Sequence, residues 1–274
     1  MFDVPGPPPV KDDAPTREQW LAILGSARST TLQPGYWDLL AENSNQWAKE
    51  VSISPFWEAA KTELPKWSAE FYARTGGPLL PTLGLPSFVG KGAEGIRSKS
   101  HRNSLSAYRK KKISDWAGLW PQSGPSVPDI NDLVRVRIET SYLDGVQFLA
   151  DKLERLASNK SVPCKAAPQG KLEGYFAYHL YFKHAFLFRV LGEGDKIQIE
   201  CEIQIATTLS TRVWDVSHGG YELWREEPGS AADWQWNPKD PRFIARQLGH
   251  MIHLADGLLV QLRDAITKEK VKEP

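Results

Sequence analysis

A chain of 274 residues is long enough to bury a sizeable core, as one large domain or two small ones. Its 34 basic and 33 acidic residues nearly cancel, which excludes a histone-like or polyanion-coating protein while leaving room for local basic patches. Two cysteines without a CxxC spacing exclude a zinc ribbon and fit a reducing cytoplasm, and no apolar run approaches the roughly 20 residues a membrane span needs.

Taken in chain order, MFDVPGPPPVKDDAP (1–15) reads as a Pro-rich tail, acidic where a signal peptide would be basic and apolar. Residues 16–87 read as a helical region. Thr16 is an N-cap candidate; Trp20, Leu21 and Leu24 make one apolar stripe; Trp37, Leu40, Trp47 and Val51 make another. A third runs from Phe56 to Phe71, and Pro65 is expected to break or bend it. GGPLLPTLGLPS (76–87) is a linker. A helix is expected from Lys91 to about Ile113, with Lys91, Lys99 and Arg102 along one face. Cations in such a row repel one another, and a polyanion such as a triphosphate would relieve that. Arg109, Lys110, Lys111 and Lys112 continue the basic character and suit the phosphates of a nucleic acid.

After the loop WPQSGPSVPD (120–129) comes a strand at 133–139, with Asp132 at its entrance and Arg135, Arg137 and Glu139 on its polar face. A helix at 143–157, a loop at 158–174 and strands at 176–184, 186–190 and 196–205 follow. Tyr175 and His179 fall on one strand face with Ala177, and an aromatic just after a loop suits base stacking. KIQIECEIQI (196–205) alternates strictly: Ile197, Ile199, Cys201, Ile203 and Ile205 form a buried side, while Lys196, Gln198, Glu200, Glu202 and Gln204 share the other. Asp132 beside a strand carrying Glu202 offers carboxylate oxygens to Mg²⁺. A helix from Thr207 to Trp224 aligns Trp214, His218 and Tyr221, and a last helix runs from about Arg242 to Lys268. This order predicts an α/β (α+β) fold, a mixed sheet flanked by N- and C-terminal helices. The core spans 88–225 and the C-terminal loop and helix span 226–274. GxxxxGK[ST], HExxH, GxSxG and the His-Asp dipeptide are all absent, so no P-loop, zincin, serine-hydrolase or HD-phosphohydrolase signature applies.

The order of the motifs is more specific than any one of them. A basic K-x₃-G-I-x₂-K-x₂-R segment, D-L-x-x-V-R, G-Y-x-A-x-H, E-I-Q-I-x-T and W-x₃-H-x₂-Y, over about residues 88–225, together resemble the RelA/SpoT alarmone synthetase domain. That resemblance implies a nucleotidyltransferase-like mixed sheet and transfer of the ATP β,γ-pyrophosphate to a ribose 3′-hydroxyl with Mg²⁺. It implies Asp132 and Glu202 as metal-binding and catalytic carboxylates, and Lys91, Lys99, Arg102 and Arg137 as ATP ligands. Tyr175, His179, Gln204 and His218 would line the acceptor site. Where the family usually carries cations, this chain has Val89, Phe176, Ala206 and Gly219–Gly220. Several of those cations hold an acceptor's 5′ phosphates. NDLVRVRIETSYLDGVQFL and GYFAYHLY look most like toxic small alarmone synthetases of toxin–antitoxin and phage-defence systems. The expectation is therefore a cytoplasmic pyrophosphokinase modifying the 3′-CCA end of tRNA, with a possible separate antitoxin and no membrane. The alternatives are a guanine or adenine alarmone synthetase using free nucleotides, and an inactive nucleotide-binding module.

Overall fold

The computed structural model describes residue 19 and residues 35–109, 130–170, 174–190, 193–226 and 232–272. The expected tail at 1–15 and the stripe at Trp20, Leu21 and Leu24 lie outside the described residues.

Helix α1 (Tyr36–Ser52) buries Leu40, Trp47 and Val51, the stripe its sequence spacing marks. The chain then breaks at Ile53–Ser54. Ser54 caps the next helix by accepting from the Trp57 N–H, and Pro55 fills the first turn, where its missing N–H costs nothing. Helix α2 (Pro55–Thr75) runs on through Pro65, so of the expected break or bend the break does not occur. A proline there forfeits one helical hydrogen bond. Buried side chains anchor the helix on both sides of it, however: Phe56, Trp57, Ala60 and Leu64 before, Trp67 and Phe71 after. Gly76, in the left-handed region at φ 72°, ends the helix.

Five strands follow: β1 (Val89–Gly90), β2 (Val134–Thr140), β3 (Cys164–Gly170), β4 (Phe176–Val190) and β5 (Glu193–Thr207). They form one sheet in the order β1-β2-β5-β4-β3, with β2 and β5 parallel and the other pairs antiparallel. The two strands expected at 176–184 and 186–190 are one continuous strand. β3 falls inside the expected loop at 158–174. Helices α3 (Ala93–Arg109), α4 (Leu143–Asn159), α5 (Thr208–Glu226) and α6 (Pro241–Lys272) complete the described elements, with a 3-10 turn at Ala232–Trp236.

The alternation in the strands sorts the sheet into two unlike faces. One carries Val136, Ile138, Leu180, Phe182, Ile199, Cys201, Ile203 and Ile205, each at most 2% exposed. Helices α1, α2 and α4 pack on this side. Trp47 stacks on Phe186 with ring centroids 5.4 Å apart, and Phe56 meets Phe182 at 5.2 Å. The opposite face is polar, with α5 lying over it. At the end of the sheet α6 is tied down by polar contacts: Arg263 grips Asp144 of α4 through two bonds of 3.0 and 2.8 Å, and buried Asp256 accepts from Thr207 and Ser210. No helix among the described residues is long and apolar enough to cross a membrane.

Candidate active site

The register of the sheet assembles the polar floor. Arg135 on β2 stands opposite Glu202 on β5, which stands opposite Tyr181 on β4. One step along, Arg137, Gln204 and His179 form the next row. The parallel pairing of β2 with β5 thus brings two sequence-distant motifs side by side, and the antiparallel pairing with β4 adds the third.

Lys91 reaches this floor from outside any helix. It lies between β1 and α3, not on the helical face that the sequence spacing suggests. Its backbone N–H donates to Leu133 O (2.8 Å) and to Ser44 Oγ (2.9 Å), so the residue just before β2 and helix α1 fix it together. The preceding Gly90 permits this, because a Cβ there would stand 2.5 Å from the Asn45 backbone nitrogen. Lys91 is 8% exposed, and its ammonium donates to Asp132 Oδ2 at 2.8 Å. Lys99, in the second turn of α3, places its ammonium 3.6 Å from Asp132 Oδ1 and 3.5 Å from Asn131 Oδ1. Arg102 follows on α3 and is half-buried. Two elements therefore deliver two lysines to one carboxylate.

Glu202 is 4% exposed, where alternation alone suggests a half-exposed residue. Its Oε1 accepts from Gln204 Nε2 and lies 3.3 Å from His179 Nδ1. His179 is itself held at both ring nitrogens, by the Tyr175 hydroxyl at 2.9 Å and the Tyr181 hydroxyl at 3.0 Å. Tyr175 packs against Trp214 of α5 at 4.5 Å, giving the site an aromatic wall. Arg137 donates to Asp215 of α5 at 2.7 Å, which ties β2 to that helix.

The two carboxylates ionise under opposite constraints. Burial opposes the charge on Asp132, but Lys91 and Lys99 outweigh it and hold the carboxyl below its ordinary range. Burial pushes the Glu202 carboxyl above its ordinary range; the Gln204 hydrogen bond works the other way, and the negative Asp132 raises it further. The floor thus holds one firmly ionised carboxylate and one of raised basicity. Burial and the negative Glu202 likewise push the Tyr175 and Tyr181 hydroxyls up, keeping both neutral.

Asp132 Oδ1 is buried and makes no hydrogen bond; the Lys99 ammonium 3.6 Å away is the cation that faces it, and a metal ion there would share the carboxylate with that lysine. No cluster of three or more His, Cys, Asp or Glu able to hold a metal occurs among the described residues. The donor set therefore fits Mg²⁺, which takes one or two carboxylates and completes its octahedron with water and substrate phosphates. It does not fit a metal needing a full protein cage.

Of the residues the sequence singles out, Lys91, Lys99 and Asp132 converge, as do Tyr175, His179, Glu202 and Gln204. Arg137 stands in the same floor but engaged with Asp215. Trp214 lies where the helical alignment suggests; the side chains of His218 and Tyr221 are not among those described. Of Arg109 the backbone alone is described, at the end of α3, and Lys110, Lys111 and Lys112 lie outside the described residues. Sequence reasoning left four contributors out of the site: Arg135, Tyr181, Asp215 and Asn131. Arg135 and Tyr181 were legible as polar-face neighbours, at two-residue spacing from Arg137 and His179. Asp215 carried no such signal.

No family model matches the chain, and no curated protein matches it in sequence. Solved structures do match. The small alarmone synthetase 1 from Bacillus subtilis, solved bound to its product pppGpp, aligns over 88% of this chain and 100% of its own, with a TM-score of 0.52 at 17% identity. A GTP pyrophosphokinase family protein from Streptococcus pneumoniae aligns over 88% of this chain and 100% of its own, with a TM-score of 0.51 at 16% identity. At such identities the likeness is one of fold: this chain folds as the small alarmone synthetases do, a mixed five-stranded sheet with flanking helices.

Proposed function

We propose that the protein is an ATP-dependent pyrophosphotransferase of RelA/SpoT type, moving the β,γ-pyrophosphate of ATP to a ribose 3′-hydroxyl. The observation that carries this reading is the pair of unlike carboxylates, Asp132 and Glu202, on one sheet floor between lysines on one side and an aromatic wall on the other. Phosphoryl-type transfer needs positioning and charge stabilisation more than covalent chemistry, and the floor offers both. Lys91, Lys99 and Arg102 receive the triphosphate. Asp132 and Glu202 would hold Mg²⁺, which when bound with ATP neutralises phosphate charge. Glu202, the more basic carboxylate, takes the proton from the acceptor 3′-hydroxyl. The 3′-oxygen then forms a bond to the β-phosphorus, the bond from that phosphorus to the α,β-bridging oxygen breaks, and AMP leaves. His179, held by Tyr175 and Tyr181, orients the Glu202 carboxylate.

For the acceptor we propose the 3′-CCA end of tRNA, which would make the protein a translation-inhibiting toxin controlled by a separate antitoxin. Two positions that the family fills with cations support this reading. The Phe176 ring stacks on His253 of α6 at 3.8 Å, and Ala206 is 6% exposed, so neither position supplies a cation to a 5′ diphosphate. A terminal adenine stacking on Tyr175 would add roughly 1–3 kcal/mol. The second reading, a guanine or adenine alarmone synthetase, rests on the fold shared with the B. subtilis protein solved with pppGpp. Incubation with γ-labelled ATP and Mg²⁺, offering deacylated tRNA or GDP, GTP and AMP, decides between them. Label on tRNA alone is the expected result. Label on nucleotides alone overturns the tRNA assignment, and label on no acceptor despite ATP binding overturns the enzyme.

A further inference from the structure

The 3-10 turn at Ala232–Trp236 and the start of α6 carry an aromatic and basic cluster outside the floor described above. Trp236 is 85% exposed. Burying a tryptophan withdraws roughly 150–250 Å² from water, and the fold leaves most of that open here. Two residues earlier, the Trp234 ring is faced by two arginines, with the Arg246 guanidinium 5.3 Å and the Arg242 guanidinium 5.9 Å from its centroid. Both lie within the roughly 6 Å at which a cation is attracted to an indole face. The two arginines are otherwise unlike. Arg242 is gripped by Asp240 through bonds of 3.1 and 2.8 Å. The Arg246 guanidinium makes no hydrogen bond or ion pair with the described residues, so Trp234 orients a cation whose donors remain open. Lys239 is exposed in the turn between them, and residues 234–246 hold Lys239, Arg242 and Arg246 against the single carboxylate of Asp240.

The fold fastens this cluster to the acceptor wall. The backbone of Gly174 abuts the Arg246 carbonyl, with no room for a Cβ between them. On the other side of Tyr175, the Phe176 ring meets His250 of α6 at 5.4 Å and stacks on His253 at 3.8 Å. Helix α6 therefore holds both chain neighbours of Tyr175, and it holds the first of them at Arg246. We propose that the cluster binds the single-stranded nucleotides that precede the reacting adenosine at the 3′ end of tRNA. A cytosine stacks on Trp236, and the Arg246 guanidinium takes a phosphate beside it. This inference rests on the reading of tRNA as the acceptor, and it names where the rest of the 3′ end lies.

An open aromatic ring next to an uncommitted guanidinium suits a single strand, in which every base offers a face to stack and every nucleotide a phosphate to neutralise. The bases of a duplex stem are stacked on one another and offer no such face, so the stem fits the cluster less well than the unpaired end. A mononucleotide has no second base to place there. The cluster thus separates the two acceptor classes by reach: it adds affinity only for an acceptor that continues beyond the nucleotide seated on Tyr175.

The test is binding of the full chain, without ATP, to 5′-labelled deacylated tRNA and to the same tRNA trimmed of its CCA end. Fluorescence anisotropy at several salt concentrations reads the affinity, and circular dichroism confirms the fold of each variant. Trp236→Ala should weaken binding of the CCA-ended tRNA roughly 10-fold and leave the salt slope unchanged, while Trp236→Phe, which keeps a stacking face, should retain most of the affinity. Arg246→Gln should weaken binding and lower the salt slope by up to about 0.7, the share of one single-strand phosphate. Wild type should bind the trimmed tRNA more weakly, and neither substitution should then matter. If Arg246→Gln loses its fold, the exposed Trp236 variants decide. Equal weakening with both tRNAs overturns the proposal, because the cluster would then be touching the stem. So does unchanged affinity in the folded variants, including the case in which the cluster proves to hold a protein. A wild type that binds neither tRNA overturns the tRNA reading along with the proposal. A wild type that binds and modifies CCA-ended tRNA equally well after both substitutions overturns the proposal alone.

Discussion

Asp132 and Glu202 lie on one floor, but substituting each removes something different. Glu202 has a raised carboxyl pKa, so its ionised form is less favoured in the folded chain than in the unfolded one. The resulting loss of stability is absent below the unfolded pKa and develops as the pH rises through the folded value. Glu202→Gln should therefore raise the melting temperature at pH 7, with the gain disappearing in acid, while transfer falls by roughly 100-fold or more. Thermal melts at several pH values alongside rate measurements check this; a variant that is both less stable at pH 7 and still active would remove Glu202 from its role. Asp132 behaves oppositely. Its depressed carboxyl contributes stability above the unfolded pKa and loses it as the pH falls through the folded value. Asp132→Asn leaves the Lys91 ammonium buried without its counter-charge, a situation that typically costs about 3–5 kcal/mol. Denaturant titration should show that loss, and adding Lys91→Met should restore stability without restoring transfer. Recovery of activity in the double variant would show that neither residue serves the chemistry.

At the scale of elements, legibility followed how much local pattern each carries. KIQIECEIQI was readable because a period of two has one meaning, and α4 and α5 because their apolar positions recur at helical spacing. β3, CKAAPQG, was not readable. It is an edge strand paired with β4, holds Pro168 and lacks clean alternation, so nothing in its sequence separates it from a loop. The continuity of α2 through Pro65 and the burial of Glu202 depend on tertiary contacts, Trp67 and Phe71 in one case and Tyr181 and His179 in the other. The motif order placed Lys91 near Asp132, but a helical wheel assigned it the wrong backbone. One element contact bears on the acceptor wall. Gly174, at φ 79°, lies against α6 so closely that a Cβ would stand 2.6 Å from Arg246 O. Gly174→Ala should push the neighbouring Tyr175 off its place against Trp214. Its expected signature is an acceptor KM raised roughly 10-fold or more with the ATP KM little changed, since small misplacements of a positioning group are costly. Steady-state kinetics with each substrate varied in turn read it out, and equal shifts in both would mean a general loss of fold.

For the whole molecule, the sheet separates two jobs. Its apolar face is sealed by α1, α2 and α4, and its polar face collects charge that a folded core would not tolerate without a ligand or partner. The basic run Arg109, Lys110, Lys111 and Lys112 follows Lys99 and Arg102 in the sequence. If tRNA is the acceptor, neutralising Lys110, Lys111 and Lys112 should weaken its modification and reduce the salt slope by up to about 0.7–0.9 for each phosphate no longer neutralised. Transfer to a mononucleotide, which cannot reach beyond the reacting ribose, should be nearly unchanged. The co-product of ATP reports directly which group is transferred. With β- and γ-labelled ATP, Mg²⁺ and a productive acceptor, pyrophosphoryl transfer releases one AMP for each acceptor modified and carries both labels into the product. Release of ADP, or transfer of the γ label without the β label, would instead make the protein a phosphotransferase that moves a single phosphoryl group.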